Sequence, residues 1–171
     1  EGGKNVILID LDLGGSNLHS CLGLSARNPG VGDFVRDKTA SLADYIRQTD
    51  TPGLRFIPGD GKNLFMANLH HAQKMRVIRH IRGLEADFVI LDLSAGAAYN
   101  TLDFFALSDR GLLVTVPEFP SAMNTLGFLK NCLMRQSEQA SKQYPRVRRY
   151  LVDLQKKSLR DEEHTMANLR Q

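Results

Sequence analysis

The chain has 171 residues, 42% hydrophobic and 24% charged, with a net charge of +3. That length suits one domain with a real core, and the mild positive charge carries no specific nucleic-acid signal. No apolar run reaches the ~18 residues a membrane span needs, and no stretch has a signal-peptide pattern. Cys21 and Cys132 match no metal-ligand spacing and fit a reducing cytosol as small buried hydrophobes. The chain enters its first strand almost at Glu1, which reads as a piece of a longer protein.

Val6-Ile7-Leu8-Ile9 runs into Asp10 and Asp12 and then into Gly14-Gly15. A short apolar run stopped by glycines predicts a strand buried on both faces of a parallel sheet. The acids then lie at its carboxyl end, where open α/β sheets hold ligands. Two apart, they share one side of the strand about 7 Å from each other. Carboxylates that close repel unless a cation or donor sits between them. The plainer reading has Asp12 capping a helix that begins near Ser16 or Asn17, with Asp10 facing solvent.

Leu18 to Leu24 predicts a short helix, and Leu42 to Ile46 a second amphipathic piece with Ser41 as N-cap. Leu54 to Ile57 predicts a strand, ended by Pro58-Gly59-Asp60-Gly61. From Leu64 to Leu84 the residues Leu69, Ala72, Met75, Ile78 and Ile81 recur every third position. Lys74, Arg76, Arg79 and Arg82 fall between them, giving a helix with one buried and one basic, solvated face. Phe88 to Leu91 predicts another buried strand that delivers Asp92 at its end, before the small-residue loop Ser94-Ala95-Gly96-Ala97. Tyr99 to Leu107 predicts a helix and Leu112 to Val116 a further strand, closed by Pro117-Glu118-Phe119-Pro120. Ser121 is placed to cap a helix to about Arg135. The alternation predicts an α/β fold, a mostly parallel sheet with helices on both faces. Residues 1–135 form the core on this reading. Residues 136–171, polar and charge-dense, form a helical extension in which Val147, Tyr150, Leu151 and Leu154 keep helical spacing.

Two strands thus present acids at one sheet edge: Asp10 with Asp12, and Asp92 followed by Gly96. A strand ending in Asp and then a glycine loop is how nucleotide hydrolases hold Mg²⁺ and sense a γ-phosphate. The glycine frees a backbone N–H to approach a phosphate oxygen.

The segments VILIDLDLGGSNLHSCLG, ADFVILDLSAGAAYNTLDFF and LLVTVPEFPSAMNTLGFLK resemble, in order and spacing, the MinD/ParA family of deviant-Walker ATPases. The likeness runs from about Gly3 to Arg135 and is nearest to the FlhG/FleN-like proteins that set flagellar number and position. It implies a P-loop NTPase fold of the SIMIBI type. It also implies that Asp12 is the switch I aspartate orienting the attacking water near Mg²⁺, with Asp10 the acid before it. Asp92 then matches the Walker B aspartate and Gly96 the switch II glycine, with Asp12 and Asp92 on the metal side. Pro117 and Glu118 match the segment beside the adenine. The resemblance further implies ATP and Mg²⁺ as cofactors, a homodimer when ATP is bound, and a flagellar or polar protein partner. It places the protein in the cytoplasm, peripheral to the inner membrane through its C-terminus or a partner.

The sequence also departs from that family. No G-x-x-x-x-G-K-[ST] occurs, and Gly2-Gly3-Lys4 precedes a strand instead of following one. Asn124 stands where FlhG-like members often carry Asp, and Val147 to Gln171 is a poor membrane helix because its apolar face is thin. In the family the P-loop strand lies between those matching Phe88–Leu91 and Leu112–Val116, so the expected sheet has a central gap and lacks later strands. The expectation is a central piece of an ATPase that is inactive alone. The alternative is a non-catalytic interaction module that kept the fold, with the basic helix face as its contact surface. A receiver-like phosphorylation domain, with Thr115 and Lys130 in the remaining roles, fits the glycine loop and the Pro117–Pro120 turn poorly. His70 and His71 cannot share a helix face, and His19 reads as a surface residue, so neither suggests a metal ligand.

Overall fold

A computed structural model describes residues 2–25, 27–59, 69–108, 110–147, 149–150, 153 and 156–157. The chain divides into two compact units, Glu1–Gly111 and Leu112–Gln171.

In the first unit the apolar run forms β1, Val6–Asp10, followed by α1, Leu18–Cys21, and α2, Val31–Arg36. A 3-10 turn at Leu42–Tyr45 leads into β2, Arg47–Gln48, and β3, Leu54–Ile57. Helix α3, His71–Arg82, precedes β4, Phe88–Asp92, and α4, Tyr99–Phe105. The strands form one sheet in the order β2-β3-β1-β4, parallel across β3, β1 and β4 and antiparallel between β2 and β3. The α/β, mostly parallel expectation is met.

Ile7 and Ile9 on β1, Ile57 on β3 and Val77 on α3 are fully buried, and with Phe34, Leu42 and Ile81 they form the core. Burial of such side chains contributes about 1.5–3 kcal/mol each. The basic face of α3 is smaller than its spacing suggests. Lys74 is buried and ion-paired with Asp103 of α4. Arg76 donates to the carbonyls of Phe34 and Ala40, both at 2.8 Å, and lies over the Phe34 ring. Arg79 and Arg82 are the two that stay exposed.

Two strand expectations need correcting. β4 pairs only with β1 among the described residues, and Phe88 and Ile90, which share one of its faces, are 58% and 52% exposed. An apolar run alone does not reveal which of its faces finds a cover. Leu112–Val116 joins no ladder among the described residues, and Val114 is 90% exposed. A β-prone sequence becomes a strand only when a neighbour pairs its backbone groups.

The second unit is built on α5, Phe119–Ala140, which runs five residues past the expected end. Its N-cap is Glu118 and Pro120 lies in the first turn, where a missing N–H costs nothing. Ser121 therefore sits inside the helix, where its hydroxyl accepts from Val116 N at 3.3 Å and bonds the Thr115 hydroxyl at 2.8 Å. Leu64 and the rest of 64–68, together with Leu151, Leu154, Leu159, Met166 and Leu169, lie outside the described residues.

Candidate functional site: an acidic cleft at the carboxyl ends of β1 and β4

Parallel pairing sets Asp10 directly opposite Asp92 at the ends of adjacent strands. The ladder runs one rung further, with Leu11 N donating to Asp92 O at 2.8 Å. Beyond it the chain turns, because the Asp10 carboxylate captures backbone and side-chain donors from the following loop. Its Oδ1 accepts from Asp12 N at 3.0 Å, and its Oδ2 accepts from the Ser16 hydroxyl at 2.7 Å and Leu18 N at 3.3 Å. Asp10 is completely buried, and these charge-assisted bonds are what make a buried carboxylate tolerable.

This reverses the plainer reading of the two acids. Asp10 ties the loop and the start of α1, whereas Asp12 is the half-buried one that lines a cleft. The cleft has a volume of about 140 Å³. Leu11, Asp12, Leu13 and Gly14 form its β1 side, and Leu93, Ser94, Ala98, Asn100, Thr101 and Phe104 its β4–α4 side. Gly15 lies close enough that a Cβ there would come within 3.2 Å of Asp12 Oδ2, so the missing side chain leaves room for the carboxylate. Across the cleft the Ser94 and Thr101 hydroxyls are bonded at 3.0 Å, pinning the β4 loop to α4.

Burial, first, and then the negative charges of Asp10 and Asp12 push the Asp92 carboxyl above its ordinary value. Asp92 feels Asp10 across the strand pair. Gly96, three residues into the loop after Leu93, has φ of +90°, a conformation that favours glycine, with open space where a side chain would be. Pro117 and Glu118 belong to the second unit and are exposed there.

Asp12 lines the cleft, and Asp92, at the end of β4, feels the charges of Asp10 and Asp12 without being one of the cleft's lining residues. Among the described residues no three His, Cys, Asp or Glu side chains gather into a cage. Mg²⁺ suits such a site, since it is held by one or two carboxylates with water and substrate phosphates supplying the rest.

Sequence reading missed Ser16, Thr101 and Gly59. Ser16 carries no spacing signal, Thr101 reads as an ordinary helix residue, and Gly59 reads only as a strand stop. A Cβ on Gly59 would lie 2.7 Å from Ser16 Oγ.

No protein-family model matches the chain. The septum site-determining protein MinD of Thermotoga maritima is 29% identical over 136 residues, covering 75% of this chain and 48% of that protein. The structure of MinD complexed with Mg-ADP from Pyrococcus horikoshii superposes with a TM-score of 0.55 at 22% identity, over 75% of this chain and 53% of the other. A ParA family ATPase from Chlorobium tepidum gives 0.62 at 20% identity, over 77% of this chain and 56% of the other. The chain is similar in sequence to MinD and in fold to MinD/ParA ATPases. It spans about half the length of the MinD relatives it matches. The MinD/ParA likeness of the structures is one of fold: a mostly parallel sheet with helices. No helix among the described residues is long and apolar enough to cross a membrane.

Proposed function

We propose that this chain supplies the acidic edge of a Mg²⁺-dependent ATP switch used in cellular positioning. The observation that carries it is the level pairing of buried Asp10 with Asp92 at the strand ends, beside the cleft that Asp12 lines, with Asp92 pushed up by burial and by its two acidic neighbours. Mg²⁺ held at Asp12 and Asp92 would neutralise phosphate charge and orient the triphosphate. Asp12, half-buried and on the loop after β1, is placed to hold an attacking water by accepting its hydrogen bond. Gly96 offers its backbone N–H to a phosphate oxygen, and Pro117 with Glu118 is assigned to the base. ATP binding between two copies gives the homodimer, and hydrolysis releases it. The flagellar-number reading, with a flagellar or polar partner and a cytoplasmic location peripheral to the inner membrane, rests on the resemblance of the three segments, in order, to the FlhG/FleN-like proteins.

The test is turnover by the full-length protein with Mg·ATP. Asp12→Ala and Asp92→Asn are expected to lower kcat by about a hundredfold or more, the scale of losing electrostatic positioning at a transition state. Wild-type turnover in both ends the proposal. Counting flagella in cells that carry Asp92→Asn tests the positioning role, and normal counts remove the flagellar reading.

One observation favours the second reading, a non-catalytic interaction module. Among the described residues no lysine or arginine lines the cleft, so these residues alone leave a triphosphate's charge unbalanced. Isothermal titration with Mg·ATP separates the two: binding heat supports the switch, and a flat trace supports the module.

A further inference from the structure

We infer that the Ser16 hydroxyl is a positioning latch that joins the end of β3 to Asp12. The inference rests on the Mg·ATP reading of the cleft for its kinetic arm only. Ser16 lies four residues beyond Asp12, on the loop that carries it. Its Oγ donates to Asp10 Oδ2 at 2.7 Å, while Asp10 Oδ1 accepts from the Asp12 backbone N–H at 3.0 Å. One buried carboxylate thus clamps both ends of the segment 12–16. Its rigidity depends on all the donors being present, since a carboxylate with one oxygen underused can rotate and loosen the other bond.

The second half of the latch is steric. Gly59 is buried against Ser16: an added Cβ would stand 2.7 Å from Ser16 Oγ, 2.9 Å from its Cβ and 3.1 Å from the Asp10 carbonyl. The neighbouring Pro58 carbonyl accepts from Val31 N at 2.8 Å, at the start of α2. Gly30 is closer still, because a Cβ there would meet that same carbonyl at 2.1 Å. The turn after β3 is therefore held by α2 on one side and closes over Ser16 on the other. Any shift of Pro58–Gly59 presses on Ser16, and through Asp10 it reaches the backbone of Asp12. Ser16 and Gly59 are not among the residues that line the cleft, so their effect is on where Asp12 stands and not on what binds.

The experiment uses the full-length protein as wild type, Ser16→Ala, Gly59→Ala, Ser16→Ala/Gly59→Ala and Ser16→Gly/Gly59→Ala. It reads Mg·ATP kinetics and amide hydrogen exchange. Loss of the hydroxyl is expected to lower kcat about tenfold with KM unchanged, the scale of one hydrogen bond. The Asp12 amide should exchange about tenfold faster, while the core amides of Ile7 and Ile9 stay as in wild type. Gly59→Ala should reproduce that pattern, and the Ser16→Ala/Gly59→Ala double should be no worse than the weaker single, since both act on one contact. Should Gly59→Ala fold poorly, Ser16→Gly/Gly59→Ala makes room for the methyl and restores folding. An Asp12 amide unchanged in Ser16→Ala, or one that rises only in step with Ile7 and Ile9, overturns the latch. Additive losses in the double overturn it too. If wild type does not turn over ATP, the Mg·ATP reading falls, and the exchange results still decide the latch.

Discussion

The acidic cleft and the corner formed by α2, the 3-10 turn and α3 gather charged side chains from distant parts of the chain, and they treat them oppositely. In the corner the half-buried Arg76 and His80 both have internal partners. Arg76 donates to two carbonyls and covers Phe34, and His80 Nδ1 accepts from Leu42 N at 3.3 Å while its ring meets Phe34 edge to face. At the cleft, Asp10 is saturated by internal donors, but Asp12 and Asp92 are left facing like charge. Charges satisfied from within hold the architecture together. Those left under mutual repulsion are where an external cation has most to offer.

Substitutions can break this contrast. Phe34→Ala should have the largest effect, about 3–5 kcal/mol of lost stability in urea unfolding, because the ring is fully buried beneath Arg76 and beside His80. Asp10→Ala comes next, at about 2–3 kcal/mol, since it strands the donors of Asp12, Ser16 and Leu18. A loss of under 0.5 kcal/mol there would mean that Asp10 belongs with the repelled acids and not with the saturated ones.

Asp92→Asn should act in the other direction. Without Mg²⁺ it removes a carboxylate pushed up by burial and by Asp10 and Asp12, so the melting temperature rises slightly. With Mg²⁺ the wild type gains stability and the variant gains less. A variant that melts lower than wild type without metal would erase the contrast.

The smallest effect concerns pH. Burial, then the charges of Arg76 and Arg79, hold the His80 imidazole below its ordinary value, with Asp44 opposing them weakly. The unfolded chain therefore takes up this proton first as pH falls, so the stability His80 contributes is present above about pH 6.5 and declines below it, down to the folded value. His80→Gln keeps an acceptor for Leu42 N and should flatten that decline in urea titrations from pH 7.5 to 5.5. An unchanged slope would show that His80 does not carry it.

The sheet and its acids were readable because their signals are local. An apolar run of four, an acid and a glycine need no knowledge of the rest of the chain, and parallel pairing then brings Asp10 and Asp92 level. What escaped depends on contacts across the fold. Nothing near Lys74 or Arg76 in sequence announces Asp103 or the carbonyls of Phe34 and Ala40, so both residues read as solvated surface. The division of labour between Asp10 and Asp12 is decided by Ser16 and Leu18, and an alternating pattern cannot tell which of two acids will find donors. Leu112–Val116 has strand composition, but composition does not supply the neighbour that a ladder requires.

The register of β1 carries a kinetic consequence. Val6 lies beside Leu54 on one flank and Phe88 on the other, so every rung of the central strand closes a long loop of chain. Loop-closure entropy must be overcome before such contacts reward it, which puts zipping of the sheet on the slow, millisecond-to-second side of small-domain folding. The acids become neighbours only once those loops have shut. If the proposed Mg²⁺ site exists, it is assembled at the end of folding, and a metal-binding signal in refolding should lag behind helix formation seen by circular dichroism.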